Sequence, residues 1–167
     1  MPSIRTQAAA TLLAAALTGL GGDAAASGDK TPPTVRIIHQ ITDNMAGVAS
    51  KMFRFEPDIL AISPGESVTF LNSVRSHTVL TQTGLWPEGT APISIRGKTE
   101  ATVTFEAPGL YGITCARHRR YGMTMLIAVG EAGLTQAAAL DPGGLPASDL
   151  AKAAFRRQAA ALRAPAN

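Results

Sequence analysis

The sequence has 167 residues, of which 46% are hydrophobic and 16% are charged, and its formal net charge is +3. This size suits one small domain, and such mild basicity without a recognised motif argues against nucleic-acid binding. The single cysteine excludes an internal disulfide. No phosphate loop, paired carboxylates or Ser-His-Asp array stands out, so we expect a protein that is not an enzyme.

Residues 1–26 have the features of a secretory signal peptide. Arg5 carries a positive charge, residues 8–20 form an apolar run of mostly alanine and leucine, and three alanines ending at Ala26 supply a small-residue cleavage site. The apolar run is shorter than the ~20 residues that a membrane-spanning helix needs, and Asp23 follows closely. We therefore expect cleavage after Ala26 and export to the periplasm, with no membrane anchor.

Residues 27–130 contain short segments rich in β-branched and aromatic residues, separated by Pro, Gly, Asn and Asp. This pattern predicts strands at 35–41, 52–55, 59–62, 68–72, 77–81, 101–105, 109–114 and 125–129. About eight short strands separated by turn residues are typical of an all-β sandwich or barrel.

Residues 131–167 are richer in alanine and predict a C-terminal helical extension. Ser148 is suited to cap a helix over residues 149–164. The apolar residues expected to pack this helix against the sandwich are Leu150, Ala154, Phe155 and Leu162.

Four residues supply a set of metal donors of mixed softness. Cys115, His118 and Met123 share one short segment, and His77 lies far upstream. Soft sulfur stabilises Cu(I), whereas imidazole nitrogen accepts both oxidation states of copper. The set therefore indicates a mononuclear electron-transfer copper site, with Cys115, His118 and His77 as a trigonal group and Met123 as the weak axial ligand.

Alternative interpretations exist for the donor residues and their neighbours. A lone cysteine is most often an inert buried residue, but the histidine three positions after Cys115 favours metal ligation. His39 on the first predicted strand is expected to be a surface or core residue. Met125 should alternate to the other side of its strand from Met123, although a different register would exchange the two methionines.

Together with their surroundings, these residues resemble the pseudoazurins, a family of type I blue-copper proteins. The likeness includes Cys-x-x-His-x-x-x-x-Met from Cys115, the His-Thr-Val that begins at His77, and the segments 63–70 and 105–112. The resemblance implies a Greek-key cupredoxin sandwich that holds one copper ion and shuttles single electrons. A periplasmic copper carrier or chaperone, and an amicyanin-like donor or acceptor for a different dehydrogenase, are the alternatives.

Several positions depart from the family pattern, including Arg119 and Arg120, where aromatic or small residues are usual. Thr78 stands where pseudoazurins usually have an asparagine that bridges two ligand loops, and a threonine can still donate one hydrogen bond. Arg117 stands where proline is common. Phe53 aligns with a methionine near the exposed ligand histidine, so its ring is expected to stack on His118.

The resemblance also implies the partners. They would be periplasmic redox proteins, namely a nitrite reductase-like acceptor and a cytochrome or quinol-linked donor, which meet an apolar patch around His118. Arg117, Arg119 and Arg120 should surround this patch, and a positive ring steers an acidic partner. An arginine cluster that is merely solvated is the alternative. We expect a diffusing monomer.

Overall fold

The computed structural model describes residues 35–47 and 49–163, and the predicted signal peptide lies outside them. Within this part of the chain the strands are β1 Val35–Thr42, β2 Phe53–Glu56, β3 Ile59–Ile62, β4 Ser67–Thr81, β5 Ser94–Thr104, β6 Gly109–Thr114 and β7 Thr124–Val129. The helices are α1 Ala49–Met52, α2 Gly130–Ala139 and α3 Asp149–Arg163, with short 3-10 turns at Arg119–Tyr121 and Pro142–Gly144.

Three of the six connections between consecutive described strands join strands that are not paired with each other, as in a Greek-key sandwich. Their hydrogen-bonded order is β2-β1-β4-β6-β7-β3. Strand β5 pairs with β4 outside this order. Pairing is parallel between β1 and β4 and between β3 and β7, and antiparallel elsewhere. The predicted all-β sandwich is therefore confirmed.

Strand β4 accounts for the difference between eight predicted segments and the seven strands described. The predicted segments 68–72 and 77–81 are parts of this one strand, whose register against β5 shifts between Ser73 and Thr78. Asn72 has a φ of 64°, a left-handed conformation that asparagine tolerates better than most residues. The strand therefore continues through this bulge, which contains His77, as far as Thr81.

Two apolar clusters lie on opposite faces of β6 and β7. The main core fills the sandwich and contains Cys115 and Met123, both with no exposed surface. The second cluster packs Leu110 and Leu126 against Phe155 of α3 and Ala137 of α2. Every residue of β6 and β7 is therefore buried, because the helices cover the sheet face that the core does not.

Helix α3 begins at Asp149 as predicted, with the Ala151 N–H donating to the Ser148 Oγ at 3.3 Å. Its buried residues follow helical spacing and are Ala151, Ala154, Phe155, Gln158 and Ala159. Leu162 also packs against the second cluster, whereas the expectation that Leu150 would pack was wrong, since its side chain is 49% exposed. The buried stripe begins one residue later, which turns Leu150 towards solvent. Among the described residues, no helix is long and apolar enough to cross a membrane.

Candidate metal centre

Three of the predicted ligands lie within or directly beside core strands. His77 lies within β4, in the segment between Ser73 and Thr78 where the register shifts, Cys115 directly follows β6, and Met123 directly precedes β7. His118 lies in the copper loop, our name for residues 115–123. Backbone hydrogen bonds close this loop, because the Cys115 N–H donates to Met123 O at 3.3 Å and the Met123 N–H donates to His118 O at 3.2 Å.

Three of the four predicted ligands meet at one point. One ligand atom each from His77, Cys115 and His118 all lie within 4.8 Å of one another. The Cys115 Sγ and His118 Nδ1 are 3.6 Å apart. All three residues are buried, so an ion bound here would be shielded from water. Met123 is buried in the same core cluster as Cys115, and its assignment as the fourth ligand stays a prediction.

The two ring nitrogens of His77 have different surroundings. Its Nε2 lies 2.8 Å from the Thr42 Oγ1, a hydrogen bond that fixes the ring. Its Nδ1 is buried, and within the described part of the chain it makes no hydrogen bond of ordinary geometry. Buried polar atoms are normally paired, and when Nε2–H donates to Thr42 the Nδ1 lone pair is available to a metal. The site therefore fits a metal ion.

The surroundings of Cys115 favour its thiolate form. Burial raises the pKa of the thiol, but the neighbouring His77 side chain and backbone hydrogen bonds from His118, Thr78 and Arg117 outweigh this effect and lower the pKa to about 7. Because the thiolate is the form that binds metals, the metal-free protein needs little further change at neutral pH.

His118 is also held in its metal-binding form. Burial lowers the pKa of its imidazole, and the nearby charges of His77, Arg117 and Arg120 lower it further, to about 4. The ring is therefore neutral above about pH 5, as a metal ligand must be.

Thr78 connects the two ligand-bearing segments. Its Oγ1 accepts from the Ala116 N–H at 2.9 Å and donates to the Cys115 Sγ at 3.8 Å. The single hydroxyl thus supplies both the bridge between segments and a polar contact to the sulfur, as expected of the residue that replaces asparagine here.

Phe53 covers the outer side of the site, and its predicted stacking on His118 is confirmed by the ring geometry. The two rings are parallel, with centroids 3.8 Å apart. The centroid of the Tyr121 ring lies 5.7 Å from that of Phe53, and the Arg120 guanidinium carbon lies 4.6 Å from the centroid of the tyrosine ring. A shallow depression here is lined by Met52, Phe53, Ala116, Arg117, His118, Arg119, Arg120 and Tyr121.

Of the other candidates from the sequence, His39 is not part of the cluster of ligand atoms. His39 is exposed on β1. Met125 is buried within β7, opposite Ile113. Sequence reasoning missed Thr42, which no spacing motif connects to His77 because the two lie on different strands.

A sequence profile of the copper-binding proteins of the plastocyanin/azurin family matches residues 42–130. The chain therefore belongs to this family of copper proteins, and copper is the cofactor that the cluster of His77, Cys115 and His118 is positioned to hold. Within the family, its relatives include pseudoazurins, so the chain is a pseudoazurin-like cupredoxin.

The similarity to individual pseudoazurins holds in both sequence and structure. Identity is 36% over 80 residues with that of Methylorubrum extorquens, covering 48% of this chain and 54% of the relative. With that of Paracoccus pantotrophus it is 35% over 78 residues, covering 47% and 54%. The matches thus span about half the length of these relatives.

Solved pseudoazurin structures match over a longer stretch. That of Methylobacterium extorquens AM1 superposes with a TM-score of 0.64 at 26% identity and covers 78% of this chain and 100% of that one. That of Sinorhizobium meliloti gives 0.66 at 26% identity, covering 79% and 98%. The predicted cupredoxin fold with its helical extension is confirmed.

Proposed function

We propose that the protein is a periplasmic one-electron carrier in which His77, Cys115, His118 and Met123 hold a single type I copper ion. The observation that carries the proposal is the buried cluster of a thiol and two imidazoles, in which the His77 Nδ1 makes no hydrogen bond of ordinary geometry to the described residues. This nitrogen faces donors whose mixed softness suits both oxidation states of copper.

Copper supplies the one-electron change when it is bound. The protein residues keep the donor positions the same before and after that change. Thr42 fixes the His77 ring, and Thr78 fixes the Cys115 segment to β4. Because these bonds are partly buried and connect segments of the sandwich, the ligands have little freedom to rearrange, which favours fast electron exchange.

The electron would enter and leave on the side of His118. That ring lies behind Phe53, so the contact surface combines an apolar aromatic face with the exposed Arg117, Arg119 and Arg120. Such a surface suits a brief encounter with a redox protein whose contact face is apolar and rimmed by acidic residues. Following the family resemblance, we propose a nitrite reductase-like acceptor and a cytochrome or quinol-linked donor.

The periplasmic location rests on the sequence of residues 1–26. Their charge, apolar run and small residues match a signal peptide, and periplasmic export brings the chain to the compartment of these partners. A protease-protection assay on intact and lysozyme-treated cells would test the location, and fractionation with the cytoplasm would contradict it.

The electron-carrier proposal is tested by copper loading of the chain without residues 1–26, with visible absorption and EPR spectra before and after ascorbate. We expect an intense thiolate-to-copper band that bleaches on reduction and returns on oxidation. His77→Ala should abolish it, whereas His39→Ala, the control at an exposed histidine, should leave it unchanged. Weak colour with copper lost on dialysis would instead support a copper carrier.

A further inference from the structure

Gln158 is a buried polar side chain on α3 that is hydrogen-bonded to the first residue of β7. Its Nε2 donates to Thr124 O at 2.8 Å, and its Oε1 accepts from the Thr124 Oγ1 at 3.2 Å. Gln158 is 1% exposed and Thr124 is 2% exposed. The two residues therefore form a buried hydrogen-bonded pair. If either side chain moved, their polar groups would be left without hydrogen-bond partners.

The same amide extends to the segment before β3. The Gln158 Nε2 also donates to the Asp58 Oδ2 at 2.9 Å, and the Arg157 Nη2 lies 3.0 Å from that oxygen. The Asp58 backbone in turn accepts from the Leu126 N–H of β7 at 3.1 Å. One glutamine thus connects α3, the start of β7 and the turn before β3.

The N-terminal end of α3 also contacts the copper loop. The Ser148 Oγ lies 3.3 Å from Arg119 O and 3.4 Å from Arg120 O. Gly122 packs so closely that a Cβ there would lie 3.3 Å from Leu150 O. Helix α3 therefore supports the loop near Arg119 and again at Thr124, the residue directly after Met123.

We propose that Gln158 is a positioning residue for Met123 and that it tunes the copper reduction potential through Thr124. The inference rests on the proposed function, in which Met123 is the axial ligand. An axial thioether acts through a long, weak contact, so a small displacement of its backbone changes its effect more than it changes copper affinity. The helical extension is in this view part of the metal site, since it fixes the residue beside the ligand.

The test compares Gln158→Met with Phe155→Leu in the copper-loaded chain. Methionine keeps the length of the glutamine and removes all its hydrogen bonds, whereas Phe155→Leu weakens the packing of α3 and leaves the Thr124 pair intact. Both variants should lose unfolding free energy. Only Gln158→Met should raise the reduction potential and alter the EPR hyperfine pattern, because a loosened Met123 donates less to Cu(II). An unchanged potential and EPR pattern in Gln158→Met would overturn the proposal.

A double-mutant cycle tests whether the effect passes through Met123. In a Met123→Leu background there is no axial sulfur, so adding Gln158→Met should no longer shift the potential. An equal shift in both backgrounds would overturn the positioning role. If Gln158→Met does not fold, Thr124→Val removes one bond of the pair and should give a smaller shift of the same sign.

The wild-type spectrum separates this inference from the proposed function. A wild-type protein without a thiolate-to-copper band would contradict the proposed function itself. A blue wild-type protein whose potential is insensitive to Gln158→Met would contradict only the role of Gln158.

Discussion

Phe53 and His118 stack face to face, with parallel rings 3.8 Å apart, and this contact joins β2 to the copper loop. It leaves only 7% of the His118 surface exposed. A partner that approaches this side would therefore meet the phenylalanine as well as the histidine. The stacked ring also keeps water away from the imidazole, and the apolar surroundings of a metal site influence its potential.

Phe53→Ala is expected to lower the reduction potential. Water admitted to His118 would stabilise the more highly charged Cu(II) state, and an effect on the order of tenfold in the redox equilibrium corresponds to about 59 mV for one electron. Phe53→Leu is the matched control, because it keeps an apolar cover and loses the stacking. Protein-film voltammetry of the three proteins measures the shift. Equal potentials in Phe53→Ala and the wild type would show that water exclusion by this ring has no role.

Met123→Gln is expected to retain copper and lower the reduction potential. An amide oxygen is a harder donor than a thioether and so favours Cu(II) over Cu(I). Metal analysis after dialysis and a redox titration check the two parts of this prediction. Met125→Gln is the comparison for the exchange of the two methionines, and a potential that responds to Met125 alone would reassign the axial position.

Thr78→Val is expected to lower the reduction potential by less than Met123→Gln does. Its hydroxyl donates to the Cys115 Sγ, and loss of one such bond is worth about 1 kcal/mol. A thiolate without this donor is more electron-rich and favours Cu(II). Thr78→Ser keeps the hydroxyl and should retain the wild-type potential. If valine and serine give the same potential, the contact to sulfur has no electronic effect.

Sequence proximity explains why part of the site could be predicted. Cys115, His118 and Met123 lie in one loop, so their spacing alone indicated a metal site. His77 joins them through its donor type and through resemblance to a known family, since nothing in local spacing connects it to Cys115. The structure adds the reason, which is that β4 continues through its bulge and brings His77 to the same end of the sandwich.

Contacts between distant segments explain what the sequence did not predict. Thr42 and His77 are 35 residues apart, and Thr124 and Gln158 are 34 residues apart. Polar pairs of this kind depend on strand order and helix docking, which the hydrophobic periodicity of the sequence does not reveal. Gln158 interrupts an otherwise apolar face of α3, and only its buried partners show why a glutamine is favourable there.

The metal-free protein is expected to lose stability as the pH falls from about 6.5 towards 4. The pKa of His118 is lowered to about 4 in the folded state from an ordinary value of 6.5, mainly by burial. The unfolded chain therefore binds more protons in this window, so the unfolding free energy decreases with decreasing pH, by at most about 1.4 kcal/mol per pH unit for one group. Above pH 6.5 the full contribution of His118 to the unfolding free energy is present.

Urea unfolding at several pH values measures this slope. His118→Gln should flatten it between pH 4 and 6.5, whereas His39→Gln, at an exposed position, should leave it in place. A slope that His118→Gln does not change would assign the proton uptake to another group.

Neutralising Arg119 and Arg120 together as glutamines is expected to slow electron transfer to an acidic partner at low ionic strength. Both side chains are exposed beside His118, where positive charge raises the rate of encounter. The Debye length shortens from about 30 Å at 0.01 M salt to about 8 Å at 0.15 M, so the difference from the wild type should shrink as salt is added. Stopped-flow measurement against a copper nitrite reductase gives the rates.

The control replaces Arg156 and Arg163 of α3 with glutamines, which lowers the net charge by the same amount without altering the copper loop. Equal salt slopes for both double variants would mean that net charge, rather than the arginines around His118, guides the encounter.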